Sequence, residues 1–222
     1  MTAEPKSSKS RASRGSREKI LKVALKEFSQ KGLSGARVDR IADTAKTSKN
    51  MIYYHFGSKD GLYREVMRRA YLSHRAAEQK AELDLSDPAK ALADLIAHSF
   101  AYLNRNEMFV RLVMSENMNH AKHLKDFTDL KQENQRVIDT LAAILEEGKK
   151  QGMFRKEIDP VEMHLTISAL GFHFASNRYT FAFLFDLDMK SDSALEKRCN
   201  EVLDVIFRWC CVDPDQARPS TV

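Results

Sequence analysis

The sequence predicts an all-α protein of about nine helices: a three-helix head with a helix-turn-helix, followed by a helical bundle. Apolar residues recur at the three- and four-residue spacing of helices, and the alternation typical of strands is scarce. Prolines and glycines fall mainly at the boundaries of these periodic segments. The 43% hydrophobic content of the 222-residue chain is enough for a core, and no apolar run reaches the about 18 residues of a membrane span.

Several helices carry a local signal for where they start or end. Gly32 ends the first helix, and Ser58 is placed to cap the fourth. Asp87 and Asp159 each precede a proline at the first helical position, and Ser193 begins a capping-box pattern. The helices are predicted over residues 16–31, 38–45, 48–56, 58–80, 88–105, 107–117, 124–151, 160–180 and 193–211.

Charge is distributed unevenly along the chain. Residues 1–75 contain 18 Lys and Arg against 7 Asp and Glu, whereas the remainder contains 18 against 24. A basic amino-terminal third on an acidic body predicts a module that binds a polyanion, joined to a part with another role. The basic tail Lys6–Arg17 either adds charge as a solvated arm or follows the DNA backbone, and nonspecific phosphate attraction is favoured.

The stretch "SKNMIYYHFGSK" (48–59) indicates a recognition helix. On a helical wheel Ile52 and Phe56 form the buried side. The opposite side is suited to DNA, because asparagine pairs with adenine while tyrosine and lysine hold phosphates. That side carries Asn50 and Tyr54, flanked by Met51 and Tyr53. An ordinary helical hairpin with exposed tyrosines is the alternative interpretation.

The segment "REKILKVALKEFSQKGLSGARVDRIADTAKTSKNMIYYHFGSKDGLYREVM" (17–67) resembles the DNA-binding domain of the TetR family of bacterial transcription regulators. A weaker match continues through "GKKQGMFRKEIDP" (148–160), which is similar to the junction before the last helices of such proteins. The resemblance implies three parts: a disordered basic arm over 1–15, a DNA-binding domain over 16–75, and a ligand-binding and dimerisation domain over 76–222.

The resemblance also implies a role for individual residues. Arg37 and Ser48 would lie near the operator backbone, and Asn50 and Met51 near base edges. Tyr53 and Tyr54 would bind phosphates, and Lys59 would hold a phosphate at the start of the fourth helix. The expected DNA-binding set is Arg37, Ser48, Lys49, Asn50, Met51, Tyr53, Tyr54 and Lys59.

Two positions depart from the family pattern. Ala36 stands where a capping threonine is usual, so a helix cap and a phosphate contact are expected to be missing. Lys46 stands in the turn where glycine is usual. If that turn is left-handed, lysine costs roughly 1 kcal/mol there.

The acidic body carries no catalytic constellation, so an enzyme is not expected. The sequence shows no Ser-His-Asp triad pattern, no glycine-rich phosphate loop and no zinc-type Cys/His set. No cofactor or metal is therefore expected. Glu116, His120 and His123 have a spacing that would place three metal ligands on one helix face, but their polar surroundings favour a helix end or loop.

The last two helices predict a homodimer. Apolar residues surround the last helix almost completely, and a second subunit is the natural cover for such a helix. The resemblance implies the same, because TetR-like proteins dimerise through their last two helices. Burial of both helices within one subunit is the alternative. The expected interface residues are Phe174, Leu195, Val202, Ile206 and Trp209.

The resemblance further implies a small-molecule pocket among the middle helices. Methionines and aromatic rings with occasional polar groups suit a mostly apolar effector, although the same residues at helical spacing also build cores. The candidate lining residues are Tyr102, Phe109, Met114, Met118, Phe172, His173 and Asn177.

Together these patterns predict a cytoplasmic, nucleoid-associated regulator that binds operator DNA as a dimer, with repression favoured over activation. The three cysteines (Cys199, Cys210 and Cys211) lack metal spacing and suit a reducing compartment, with buried thiols favoured over a dimer cross-link. The alternative function is a DNA-anchored interaction protein without an inducer.

Overall fold

The computed structural model describes residues 7–78 and 83–214, giving only the backbone for residues 7–14. Over these residues the chain forms nine α-helices and no strand beyond an isolated bridge between Phe154 and Cys211. The helices are α1 (Ser7–Gly35), α2 (Val38–Ala45), α3 (Lys49–Phe56), α4 (Lys59–Glu78), α5 (Pro88–Arg105), α6 (Glu107–Met118), α7 (Thr128–Lys150), α8 (Pro160–Phe185) and α9 (Asp192–Cys210). The predicted all-α fold class is confirmed.

The described residues divide into two compact units. The first contains the residues up to Tyr71 together with Arg111–Phe127. The second contains Leu72–Val110 and the described residues from Thr128 onward. The first unit therefore includes a segment, 111–127, that the predicted domain division assigned to the body.

The core of the first unit follows from amphipathic helices. In α2 the apolar face is Val38, Ile41, Ala42 and Ala45, and all four side chains are buried. They pack with side chains from α1, α3, the first part of α4 and Leu112. The largest buried members are Phe28 and Tyr63, whose rings meet edge to face at 5.1 Å.

The first helix is longer than its pattern predicts. Residues 7–15 are helical in the structure, whereas the predicted arm over 1–15 was disordered; residues 1–6 lie outside the described part of the chain. Residues 6–14 contain no proline or glycine, so nothing in that stretch prevents the helix from starting before Ser16. At the other end Gly32 has φ 65°, which breaks the helical geometry at the expected residue.

The second unit is a bundle in which α5 packs against α7, α8 and α9. Asp87 and Asp159 cap α5 and α8 as expected: the Asp159 carboxylate accepts hydrogen bonds from the amides of Val161 and Glu162 at 2.8 and 3.0 Å. The predicted cap at Ser193 is wrong, because Ser191 caps α9 by accepting from the Ala194 amide at 3.2 Å.

A glycine fixes the junction after α7. A Cβ on Gly148 would lie 2.1 Å from the Phe154 ring, which is buried against this helix. The chain beyond α9 returns to the same junction, where the Val212 amide donates to the Met153 carbonyl at 2.8 Å. Cys210 and Cys211 are buried free thiols in this core.

None of the helices in the described part of the chain is long and apolar enough to cross a membrane.

Candidate nucleic-acid interface

The candidate interface is the exposed face of α3, which has a buried side and a polar, aromatic side. Ile52 is fully buried, and Phe56 is half-buried against the core of the first unit. On the other side Tyr54 is 79% exposed, and Asn50 is exposed as well. Exposed side chains on a helix whose other side is buried suit insertion into a groove.

The amino-terminal end of α3 is shaped by Ser48. Its hydroxyl oxygen accepts a hydrogen bond from the Met51 amide at 3.2 Å and caps the helix. The Ser48 hydroxyl hydrogen and the uncapped first amides remain available to a phosphate at this positive helix end. Met51 and Tyr53 are 37% and 43% exposed and flank the polar face.

The turn between α2 and α3 is left-handed. Lys46 has φ 54° and ψ 51°, and the amides after the helix return to the carbonyls of Ala42 and Asp43. Family members usually have glycine at this position of the turn. The conditional cost predicted for lysine at this position therefore applies.

The cations near α3 share one carboxylate that the sequence pattern did not identify. Asp39 on α2 forms an ion pair with Lys49, and its carboxylate lies 3.9 Å from the Arg37 guanidinium. All three side chains are largely exposed, and such exposed pairs contribute only about 0–1 kcal/mol. A phosphate can therefore replace Asp39 as the partner of either cation at little cost.

Glu27 of α1 supports the start of α2 from below. It is 7% exposed, accepts from the Arg37 amide at 3.4 Å, and lies 3.5 Å from Nε of Arg40. Ala36 is buried beside this point, and no side-chain cap at Arg37 is formed among the described residues. Arg37, and not Ala36, is therefore the N-cap residue of α2, and Glu27 accepts from its backbone amide.

Lys59 begins α4 beside this surface. Its Nζ donates to the Ser34 carbonyl at 3.2 Å, which joins the end of α1 to the start of α4. An ammonium group has three donors, so this contact leaves capacity for a phosphate.

The segment 111–127 contains a buried polar contact and packs against α4. Glu116 is 1% exposed and accepts hydrogen bonds from the His123 backbone amide at 2.7 Å and from its Nδ1 at 3.0 Å. The Tyr63 ring lies edge-on to His123 at 5.0 Å, and burial raises the pKa of Tyr63 to about 12. His120 is exposed with φ 56°, so the three candidate metal ligands do not converge, and the described residues contain no cluster that could hold a metal.

The predicted pocket residues do not form one group. Met114 and Met118 belong to the first unit and are 38% and 77% exposed. Tyr102 and Phe109 belong to the second unit, where both rings pack against the ring of His74 at 4.5 and 4.8 Å. The structure therefore joins two of the predicted residues through a histidine that the sequence pattern did not single out.

The other predicted pocket residues lie on α8. Phe172 is half-buried, and His173 is exposed with its ring against Phe181 at 5.5 Å. The Asn177 amide donates to the His173 carbonyl at 3.1 Å, a contact within the same helix. Nothing in these contacts directs the three side chains toward Tyr102 or Phe109.

The predicted dimer residues need a correction. Val202 and Ile206 are 1% and 0% exposed because they form part of the core of the second unit, so neither side chain is available to another subunit. Phe174, Leu195 and Trp209 are partly buried against the same core. Exposed apolar residues lie instead along α8 and at one position of α9: Val161, Leu165, Phe183 and Val205.

Two short helices joined by a tight turn, the second with an exposed polar and aromatic face, define a helix-turn-helix protein. Comparison with known proteins is consistent with this class. Residues 20–66 match the family described as bacterial regulatory proteins, tetR family, and residues 88–206 match the tetracyclin repressor-like C-terminal domain. The chain belongs to the TetR family, and it is a DNA-binding transcription regulator.

Individual relatives support the same assignment. The HTH-type transcriptional repressor NicS of Pseudomonas putida is 34% identical over 86% of this chain and 91% of its own length. The regulator RutR of Escherichia coli is 31% identical over 75% and 77%. The crystal structure of the regulator SCO4942 from Streptomyces coelicolor superposes with a TM-score of 0.66 at 24% identity, covering 88% of this chain and 98% of that one, which is a likeness of fold.

Proposed function

We propose that this protein is a cytoplasmic repressor that binds a pseudo-palindromic operator as a homodimer and is released by a small molecule. In this proposal the first unit binds DNA, while the second unit dimerises and holds the effector. The repressors among its relatives, NicS included, support repression rather than activation.

The exposed face of α3 is the observation that carries the proposal. Asn50 and Tyr54 project from a helix whose opposite side is fixed in the core by Ile52, so a groove would meet them in a defined orientation. Asn50 would read a base edge, with adenine as its best partner. Tyr53 and Tyr54 would bind phosphates, because phenolic hydroxyls donate to phosphate oxygens.

The cations around α3 would supply most of the affinity. Arg37, Lys49 and Lys59 would exchange their present partners for phosphates, and the basic residues before Arg17 would add nonspecific attraction. Release of counterions makes such binding strongly dependent on salt.

The exposed apolar residues of α8 would form the dimer contact. Leu165 and Phe183 are 55% and 86% exposed, and large exposed apolar residues on one helix support a protein–protein contact. Two recognition helices would then enter successive major grooves about 34–36 Å apart.

The test is a salt titration of binding to DNA from the protein's own upstream region and to scrambled DNA. We expect the wild type to prefer its own DNA by ~10³ or more. The Asn50→Ala/Tyr54→Ala variant should lose that preference, because it keeps the cations but lacks the groove-facing side chains.

Asn119→Ala is the matched control, since Asn119 is an exposed asparagine of the same unit that lies outside α3. It should bind as the wild type does. Equal preference in the wild type and the double variant would contradict the assignment of α3. Equal binding of the wild type to a genome-wide set of fragments would favour a nonspecific DNA anchor for an interaction protein.

A further inference from the structure

A buried polar cluster lies inside the second unit. Its centre is three residues of α4: His74, Arg75 and Glu78, with side chains 8%, 9% and 8% exposed. Arg75 forms an ion pair with Glu78 through Nη1. We refer to these three residues, with Tyr102, Phe109 and His164, as the His74 cluster.

The cluster contains donors and acceptors that the protein does not satisfy. Neither ring nitrogen of His74 has a hydrogen-bond partner among the described residues, and the same holds for Nε of Arg75. The His74 Nε2 lies 3.5 Å from a Glu78 oxygen, outside hydrogen-bond geometry. Buried polar groups without partners destabilise a fold, and they are rare unless another molecule binds them.

Aromatic rings border these polar atoms. The His74 ring lies 4.5 Å from the ring of Tyr102 and 4.8 Å from that of Phe109, and these two rings meet each other at 5.7 Å. Aromatic ring faces favour a ligand with a flat, apolar part. The N–H groups without partners favour a ligand that carries a hydrogen-bond acceptor at one end.

The cluster contains one cation, Arg75, that a ligand carboxylate could bind. Burial lowers the pKa of His74 to about 3 and that of His164 to about 4, with the charge of Arg75 contributing to both. Arg75 is therefore the permanent cation, and Glu78 is its counterion. Burial also raises the pKa of Tyr102, which keeps this phenol neutral. A second carboxylate would be bound by Arg75 and balanced by a proton on a histidine.

We propose that the His74 cluster binds a small aromatic monocarboxylate, with its carboxylate on Arg75 and His74 and its ring against Tyr102 and Phe109. The proposal names the chemical class of the effector and thus rests on the proposed function.

The experiment uses the 222-residue chain without DNA, so its outcome is independent of operator binding. Benzoate, benzamide and cyclohexanecarboxylate are compared by isothermal titration calorimetry in two buffers of different ionisation enthalpy. We expect benzoate to bind about tenfold or more tightly than either analogue, because only it combines the charge with a flat ring. Binding of benzoate should take up about one proton.

The variant Arg75→Met/Glu78→Met removes both charges together, so no buried charge is left unpaired. It should keep its helicity and lose benzoate binding by about tenfold or more. Arg136→Gln, an exposed arginine on α7 of the same unit, should bind benzoate as the wild type does. The milder variant His74→Gln should weaken binding if the double variant does not fold.

Three results would overturn the proposal: no binding of benzoate to the wild type, equal binding of benzoate and benzamide, or unchanged binding in the folded double variant. A protein that binds benzoate in this way but shows no preference for any DNA would instead contradict the proposed function.

Discussion

Lys46 shows how a single backbone conformation shapes the helix-turn-helix. Its left-handed φ of 54° allows the chain to leave α2 and begin α3 three residues later, at Lys49. A residue with a Cβ is strained by about 1–2 kcal/mol in this conformation, whereas glycine is not. The sequence already indicated this strain, because lysine stands where the family pattern has glycine.

Replacing Lys46 by glycine should therefore stabilise the protein. We expect Lys46→Gly to raise the free energy of unfolding by about 0.5–1 kcal/mol, because relief of strain exceeds the added entropy of the unfolded chain. Urea denaturation followed by circular dichroism measures this change. Lys46→Ala removes the same charge but keeps a Cβ, and an equal gain in that variant would assign the effect to charge.

Asp39 and Glu27 were not identified from the sequence, and the reason is physical. Each interacts with cations from another helix or from the turn before α2, such as Lys49 and Arg40. Helical periodicity describes which residues share a face of one helix, but it does not describe which faces meet. The His74 cluster was missed for the same reason, because its residues come from four helices.

At the scale of elements, α3 is held against the start of α4 by a close backbone contact. Gly57 ends α3 with φ 74°, and its amide donates to the Tyr53 carbonyl at 2.8 Å. Ser58 then caps α4, as expected, by accepting from the Gly61 amide at 2.9 Å. A Cβ on Gly61 would lie 2.0 Å from the Phe56 carbonyl oxygen, so only glycine allows this packing.

Gly61→Ala should therefore displace α3 from α4 and destabilise the first unit. We expect a loss of about 1–3 kcal/mol in the free energy of unfolding, the range for overpacked sites. Thermal or urea unfolding measures the loss. Gly15→Ala is the control, because a Cβ there meets nothing within 4 Å and the helix gains up to about 1 kcal/mol. Equal stability of the two variants would contradict the role of Gly61.

The boundaries of most helices were predictable, but the faces of the last two were not. Asp159 and Pro160 mark the start of α8 correctly, whereas α8 continues to Phe185 beyond the predicted end near 180. Val202 and Ile206 belong to an apolar pattern that extends around α9. Such a pattern requires burial but does not state whether the cover comes from the same chain or from a partner, and here it comes from the same chain for both residues.

At the scale of the whole molecule, the two units separate two kinds of chemistry. The first unit presents cations in exposed pairs near α3, where exchange for phosphates costs little. The second unit buries an ion pair beside His74, where a ligand carboxylate would meet little competition from water. We propose that in a dimer the α3 helix of each subunit reads the DNA sequence.

The most direct measurement is selection of binding sites from random duplex DNA by the wild type, Asn50→Ala and Asn119→Ala. We expect the wild type to select an inverted repeat, with half-sites about 10–10.5 base pairs apart. In Asn50→Ala the base preference should disappear at one position in each half-site and persist elsewhere, while Asn119→Ala selects the wild-type sequence. An unchanged preference in Asn50→Ala, or a wild-type site without two-fold symmetry, would contradict the account.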